Sequence, residues 1–260
     1  MRLFDSHCHL QDERLRADLD GVVARARAAG VERLVTAGVD EADWPAAAGV
    51  ARRHAGVSAA YGLHPWFVAG RSPRWLDALR ALLAADPSAA LGEVGLDRAV
   101  EPREDAVQER VFLDQLRLAR DLGRPVVVHC RRAWGRMLDL LRAEGPHPPG
   151  LVFHSYSGAA DLLPALAELG GRFSFSGSIT FPANRRGPLA AAAAPADRLL
   201  IETDAPDLRP REAADGPGAQ GVPNEPSRLP QVLRAVARIR GVAEEELAHV
   251  TFENARAVFG

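Results

Sequence analysis

The stretch PVVVHC, residues 125–130, contains the structural unit from which the fold of this chain can be predicted. A proline opens it, three valines follow, and it closes on a histidine and a cysteine. Short runs of β-branched residues are typical of buried strands. The next residues form an apolar stripe with helical spacing, made of Trp134, Met137, Leu138 and Leu141. The unit is therefore a strand that ends in a histidine and is followed by a helix.

Seven other stretches resemble this strand and also alternate with helical segments. The eight predicted strands are LFDSHCH (3–9), RLVTAGV (33–39), VSAAYGLH (57–64), AALGEVGL (89–96), PVVVHC (125–130), GLVFHSY (150–156), RFSFSG (172–177) and LLIETDA (199–205). Such an alternation implies a parallel sheet, and eight units close most naturally into a (β/α)8 barrel. We therefore predict an α/β fold, with one TIM-type barrel domain over residues 1–260. An open doubly wound sheet is the alternative, but neither G-x-G-x-x-G nor a P-loop supports its nucleotide-binding form.

The composition restricts the classes of function. The formal net charge of −2 excludes a general nucleic-acid coat, which needs a basic face. The chain contains no lysine, so chemistry that needs a lysine amine is excluded. Its two cysteines, Cys8 and Cys130, fit a reducing compartment better than a disulfide framework. No signal peptide precedes the first strand and no apolar run is long enough to span a bilayer, so we expect a cytoplasmic protein.

Side chains able to bind metal collect at the ends of the predicted strands. His7 and His9 close the first strand and, being two residues apart, point to the same face. The other strand-end candidates are His64, Glu93, His129, His154 and Asp204. In barrel enzymes the active site lies at the carboxyl ends of the strands. We therefore expect a metal site at this end of the barrel.

The number and type of these ligands indicate the chemistry. A catalytic zinc ion commonly uses three protein ligands, and this set is larger. Two ions that share a bridging carboxylate fit it better, and the imidazoles favour a transition metal. Paired metal ions stabilise the attacking and leaving oxygens and make bound water more acidic. The residues thus predict hydrolysis of phosphate esters, carboxylic esters or amides, without choosing among them.

The chain contains a set of motifs in a fixed order over residues 5–226: DSHCHL, YGLHP, GEVGLD, PVVVHCRRA, FHSYSG, FSGSIT, LLIETDAP and NEP. With these motifs the chain resembles the TatD-related metal-dependent deoxyribonucleases, a branch of the amidohydrolase-like barrels. The terminal stretch ENARAVF also resembles the family. The resemblance therefore covers essentially the whole chain.

The resemblance implies two divalent cations, Mg²⁺, Mn²⁺ or Zn²⁺. One would be held by His7, His9, Glu93 and Asp204, and the other by Glu93, His129 and His154. Asp204 would act as the base, Glu93 as the bridge, and His64 would face the substrate phosphate. The implied substrate is DNA or another phosphodiester, and the small net charge favours short or single-stranded ends. The alternative is a carboxyl-ester or amide hydrolase, such as an aminoacyl-tRNA ester deacylase. Neither hypothesis implies a membrane or an obligate protein partner.

Other residues are candidates for supporting roles. Arg131 follows a ligand strand and could pair with phosphate, as arginine does bidentately. Asp5 and Asp97 could orient ligating histidines or cap loops, and Glu202 could support a ligand or belong to the buried structure.

Aromatic residues, three remaining histidines and one long loop complete the expectations. Tyr61 and Trp66 could stack on a base, but packing in the barrel is favoured. His54, His147 and His249 fall on predicted helices or loops and are expected at the surface. Residues 206–228 are rich in proline and glycine and predict a long functional loop at the rim.

Overall fold

The computed structural model describes residues 1–211 and 221–260. Within these ranges one sheet of eight parallel strands runs in sequential order. The strands are β1 (Leu3–Cys8), β2 (Val31–Gly38), β3 (Val57–Tyr61), β4 (Ala90–Asp97), β5 (Val126–Arg131), β6 (Leu151–Phe153), β7 (Gly171–Phe175) and β8 (Leu199–Ile201). β8 also contacts β1, so the sheet forms a nearly closed barrel. The predicted α/β barrel is confirmed.

Helices follow the strands and cover the barrel. They are α1 (Glu13–Arg16), α2 (Leu19–Ala28), α3 (Trp44–Arg53), α4 (Trp75–Ala85), α5 (Asp105–Asp121), α6 (Trp134–Glu144), α7 (Leu163–Glu168), α8 (Arg186–Ala193), α9 (Leu229–Arg240) and α10 (Glu244–Phe259). None of the described helices has both the length and the apolar character needed to cross a bilayer. Part of the long loop predicted at 206–228, residues 212–220, lies outside the described residues.

The strands divide their side chains between two apolar layers. In β5, Val126 and Val128 belong to the outer layer beneath the helices, whereas Val127 belongs to the barrel interior. Cys8 and Cys130 also lie in the outer layer, so both thiols face away from the barrel axis. Phe4 closes the amino-terminal end of the interior by packing against Phe252 and Phe259 of α10, with ring centroids 6.0 and 5.9 Å apart. The residues predicted to bind metal lie at the opposite, carboxyl-terminal end of the strands.

Register shifts beside two of the predicted ligands adjust the strands that carry them. Between its pairings at Leu91 and Val94, β4 advances three residues while β5 advances two. β1 gains one residue on β2 in the same way between Asp5 and Cys8. An extra residue re-aims the side chains beside it. The shifts lie at Glu93 and His7 and contribute to turning both side chains into the barrel mouth.

The first and last strands are joined beyond the end of β8. The Asp204 amide donates to the His7 carbonyl at 3.0 Å, and the His9 amide donates to the Ala205 carbonyl at 2.7 Å. Asp5 adds a side-chain link, since its carboxylate accepts the backbone amide of Thr203 at 2.9 Å. These bonds fix the Asp204 segment against β1, although no sheet ladder pairs the two strands within the described residues.

Several predicted strands are shorter in the structure. β3 ends at Tyr61 rather than at residue 64, because the amide and carbonyl of Leu63 are both bonded to the side chain of Gln115 instead of to a neighbouring strand. β6 and β8 end at Phe153 and Ile201. Several ligand candidates therefore lie in the loops just after the strands.

A substitution at Gly95 can test how tightly β4 and β5 are packed next to the ligand candidates. Its φ is +150°, and a Cβ there would overlap the carbonyl oxygen of His129. We expect Gly95→Ala to lower the free energy of unfolding by about 3 kcal/mol or more, through strain and overpacking. Urea unfolding followed by circular dichroism measures this change. Gly49→Ala is the matched control: it lies within α3 with no atom within 4 Å of an added Cβ, and should gain about 0.5–1 kcal/mol. Equal stabilities for the two variants would contradict the packing described.

Candidate metal centre

The predicted ligands converge at the carboxyl ends of the strands. His7 lies in β1 and His9 just after it, Glu93 lies in β4, and His129 lies in β5. The other three follow a strand end: His64 after β3, His154 after β6 and Asp204 after β8. All seven side chains meet in one cluster, as three overlapping groups show: His7, His9 and Asp204; His7, Glu93 and His154; and His64, Glu93 and His129.

Glu93 is at the centre of this cluster and is only 3% exposed. Its Oε1 lies 2.7 Å from His154 Nε2, 2.8 Å from His129 Nδ1 and 3.4 Å from His64 Nε2. Its Oε2 lies 3.4 Å from His7 Nε2 and 3.5 Å from His9 Nε2. The two oxygens of one carboxylate thus face two different sets of imidazoles.

Charge explains why this carboxylate stays ionised. Burial alone raises the pKa of Glu93, but the nearby His154, His64 and His7 outweigh it and hold that pKa well below the ordinary value. Burial lowers the pKa of His154, but Glu93 and Glu202 reverse this and raise it well above the ordinary value. The ionised carboxylate at the centre of the cluster therefore favours positive charge on the groups around it.

Asp204 and the two histidines of β1 form the second part of the cluster. Asp204 Oδ1 lies 3.5 Å from His7 Nε2 and 3.7 Å from His9 Nε2, and these two nitrogens are 3.2 Å apart. His7 Nδ1 is buried without a hydrogen-bond partner among the described residues. Convergent imidazole nitrogens and carboxylate oxygens are the donor set that zinc, manganese and related divalent metals prefer. The residues fit a metal site.

Several ligands are fixed from behind by hydrogen bonds. His9 Nδ1 donates to the Ala37 carbonyl at 2.8 Å, which leaves Nε2 facing the cluster. His129 Nε2 lies 3.1 Å from Asp97 Oδ2. Glu202 Oε1 accepts the Ser155 amide at 2.6 Å and lies 3.5 Å from His154 Nδ1. Asp97 and Glu202 thus occupy the supporting positions considered from the sequence, whereas Asp5 bonds the Thr203 segment and touches no histidine ring.

Two buried glutamines, which the sequence did not single out, hold the loops at the site. Gln115 bonds both the amide and the carbonyl of Leu63, next to His64. Gln108 accepts the Asp97 amide at 2.9 Å and donates to the Asp97 carbonyl at 3.2 Å. They lie seven residues apart on the buried face of α5. Two polar residues at that spacing within an apolar stripe are the sequence signal that could have identified them.

Other predicted surface and rim residues have mixed outcomes. His249 is exposed as expected, but His147 is fully buried and its Nε2 donates to the Arg124 carbonyl at 2.8 Å. His54 is also largely covered, its side chain being 11% exposed. Both surface predictions were wrong because each ring turns toward a distant part of the chain: His147 toward the Arg124 carbonyl, and His54 toward Asp20, with Nε2 3.5 Å from Oδ1. Arg131 is exposed at the end of β5, and its contact with substrate stays a prediction.

The two aromatic candidates, Tyr61 and Trp66, also differ in how they compare with the predictions. Tyr61 is buried as the packing interpretation predicts, with its hydroxyl on Asp86 at 3.2 Å. Trp66 is 52% exposed, so the expectation that it packs in the barrel was wrong. Its Nε1 donates to Asp97 Oδ2 at 2.8 Å, which holds the indole at the rim of the site instead.

A parallel barrel with histidines and carboxylates gathered at the carboxyl ends of its strands defines the class of metal-dependent hydrolases. The model of the TatD related DNase family matches residues 4–260, and the chain belongs to this family.

Individual relatives match over nearly their whole length. The chain is 32% identical to the Bacillus subtilis "Uncharacterized metal-dependent hydrolase YabD", covering 99% of this chain and 98% of that protein. It is 35% identical to the Klebsiella pneumoniae "3'-5' ssDNA/RNA exonuclease TatD", again over 99% and 98%. Among solved structures, YjjV, a TatD homologue from Escherichia coli K12, superposes with a TM-score of 0.92 at 28% identity, covering 99% and 98% of the two chains.

Asp97 provides a test of the metal centre that leaves every ligand in place. Oδ2 of Asp97 bonds both His129 and Trp66, and Oδ1 accepts the Ala99 amide, so Asp97→Asn removes the negative charge and one of these two acceptors. We expect metal affinity to fall about 10–100-fold, the usual effect of losing a group that orients a ligand. Titrating Mn²⁺ into chelator-treated protein by calorimetry measures it. Asp139→Asn on α6 removes the same charge from an exposed position and is the control. Unchanged affinity in the Asp97 variant would show that His129 needs no such support.

Proposed function

We propose that the protein is a divalent-metal-dependent nuclease that removes nucleotides from the ends of single-stranded nucleic acid through a binuclear site. The observation that carries the proposal is the placement of Glu93, whose two oxygens face separate groups of imidazoles. A carboxylate placed in this way suits a bridge between two cations about 3.5–4 Å apart. The relative from Klebsiella pneumoniae, named as a single-stranded DNA/RNA exonuclease, supports the choice of substrate.

The proposed ligand sets follow the groups in the cluster. His7, His9 and Asp204 would hold one cation with Glu93, and His129 and His154 would hold the other with Glu93. When bound, the cations would neutralise charge on the phosphate oxygens and make water more acidic. His64 Nε2, buried beside Glu93, would donate to a phosphate oxygen; burial lowers the pKa of this imidazole to about 4, so it is neutral at pH 7.

The chain's own residues would carry the proton. Asp204 lies at the mouth of the barrel, 9% exposed, where its carboxylate would orient a water molecule opposite the leaving group and accept its proton. The water oxygen forms a new bond to phosphorus as the bond from phosphorus to the leaving nucleoside oxygen breaks. That oxygen takes a proton from solvent. Arg131, which is exposed at the end of β5, would pair with a neighbouring phosphate.

The small net charge fits the proposed substrate. A formal charge of −2 favours a substrate that needs few phosphate contacts over long duplex, since binding to duplex scales with the number of neutralised phosphates. A single-stranded end needs only a few contacts near the reacting phosphate. The cluster at the barrel mouth and Arg131 at the end of β5 would supply these contacts.

The proposal predicts stepwise shortening of an end-labelled oligonucleotide. Protein stripped with chelator should be inactive, and Mg²⁺, Mn²⁺ or Zn²⁺ supplied separately should restore cleavage of single-stranded DNA or RNA. A blunt duplex of the same sequence should be cleaved more slowly. The products are resolved on denaturing gels over time. Absence of cleavage with every ion would overturn the proposal, and hydrolysis of an aminoacyl ester by the same preparation would then identify the alternative chemistry.

Replacing the central carboxylate should abolish the activity without unfolding the chain. We expect Glu93→Gln to lower kcat/KM on single-stranded DNA by at least about 100-fold, since charge stabilisation at the reacting group is commonly worth that much. The control is Glu253→Gln, which removes the same charge from an ion pair with Arg256 on α10. Thermal unfolding of both variants shows whether they are folded. Near-normal turnover by folded Glu93→Gln would rule out the bridging role.

A further inference from the structure

Trp66 and Phe67 are two neighbouring aromatic residues to which the proposed reaction gives no role. Among the described residues only five large hydrophobic side chains are exposed, and these two, at 52% and 37%, are adjacent in sequence. They follow His64 in the loop after β3. Exposed aromatic rings beside a catalytic centre are a costly use of apolar surface unless something covers them.

The indole of Trp66 is exposed but held in place. Its Nε1–H donates to Asp97 Oδ2 at 2.8 Å, and the same oxygen lies 3.1 Å from His129 Nε2. Its ring also meets the His64 ring edge to face, with centroids 5.1 Å apart. The indole is thus fixed relative to two members of the cluster. A ligand stacked on the indole would therefore be held close to the cluster that we propose binds the phosphate.

A cavity of about 260 Å³ opens next to these rings. It is lined by Trp66, Phe67 and Leu63, with Asp40, Glu41 and Arg71 supplying charge. Pockets for drug-sized ligands measure about 300–1,000 Å³, so this one suits a single planar ring system. Two carboxylates against one guanidinium disfavour a phosphate group. An uncharged ring is the favoured occupant, while the phosphate is left to the histidine cluster.

We propose that Trp66, together with Phe67, stacks on an unpaired nucleobase next to the scissile phosphate and so positions the strand end in the site. This inference rests on the proposed nuclease function. Aromatic side chains bind bases of any sequence in this way because every base has a π-face. A base within a duplex is already stacked and paired, so this subsite selects single-stranded ends.

The test is a comparison of intact and abasic substrates. Single-stranded oligonucleotides would carry one abasic residue at each of the three positions nearest the cleaved bond. For the wild-type protein, one position should lower kcat/KM by about 5- to 150-fold, the range expected for losing one stacked base. For Trp66→Leu, intact substrate should be slowed by a similar factor, and the abasic residue at that position should cost nothing further.

Trp66→Phe separates stacking from support of Asp97. Phenylalanine keeps a ring but cannot donate to Asp97, so the abasic penalty should persist at the same position even if the overall rate falls. Metal affinity, measured by calorimetry for all three proteins, shows how much of any rate loss passes through Asp97 and His129. A merely structural Trp66 would slow intact and abasic substrates equally.

The outcomes distinguish this inference from the function on which it rests. Metal-dependent cleavage with no abasic penalty, or with a penalty that Trp66→Leu retains, overturns the stacking site and leaves the nuclease standing. Absence of cleavage of every oligonucleotide overturns both. A penalty at one position that disappears only when the ring is lost supports the stacking site.

Discussion

The buried carboxylate of Glu93 is the constraint on which the rest of the site depends. An ionised carboxylate in a protein interior is strongly unfavourable unless charged or polar partners surround it. Here five imidazoles lie within 2.7–3.5 Å of its oxygens. Four of them, His154, His64, His7 and His129, hold its pKa low in spite of burial. Glu93 and Glu202 in turn raise the pKa of His154 well above its ordinary value in spite of burial. The carboxylates and the imidazoles thus stabilise one another's charged forms.

Because the groups of the cluster depend on one another, many residues around it serve to hold the ligand candidates in place. A bridging carboxylate works only if the imidazoles around it keep their orientation and tautomer. The carbonyl of Ala37, the carboxylate of Asp97 and the carboxylate of Glu202 each accept from or face a group at the cluster's edge. Gln108 and Gln115 hold the backbone of the loops from α5. The strands of the barrel therefore bring the ligand candidates together, and the hydrogen bonds from surrounding groups fix the orientation of their side chains.

The sequence predicted those features that follow from local patterns. Strands and helices alternate regularly enough in the sequence to predict the barrel. The ligand candidates are recognisable because histidines and carboxylates lie at the ends of so many predicted strands. The register shifts at His7 and Glu93 depend on pairing with neighbouring strands, which no single stretch encodes. Burial of His147 and exposure of Trp66 likewise depend on what packs nearby in the folded chain. The shorter β3 results from Gln115, more than fifty residues away in sequence.

Residues with strained backbone lie at the same end of the barrel as the histidine and carboxylate cluster. Arg132, Ser155 and Asp204 have positive φ values of 55°, 40° and 56°, unusual for residues with a Cβ, and they follow β5, β6 and β8 at the site end. Such conformations persist only where the surrounding structure over-determines them. The apolar closure of the other end by Phe4, Phe252 and Phe259 offers no catalytic group but contributes buried surface. The barrel thereby separates the two requirements along its axis: one end stabilises the fold, and the other can hold charges and backbone geometry that would destabilise an isolated loop.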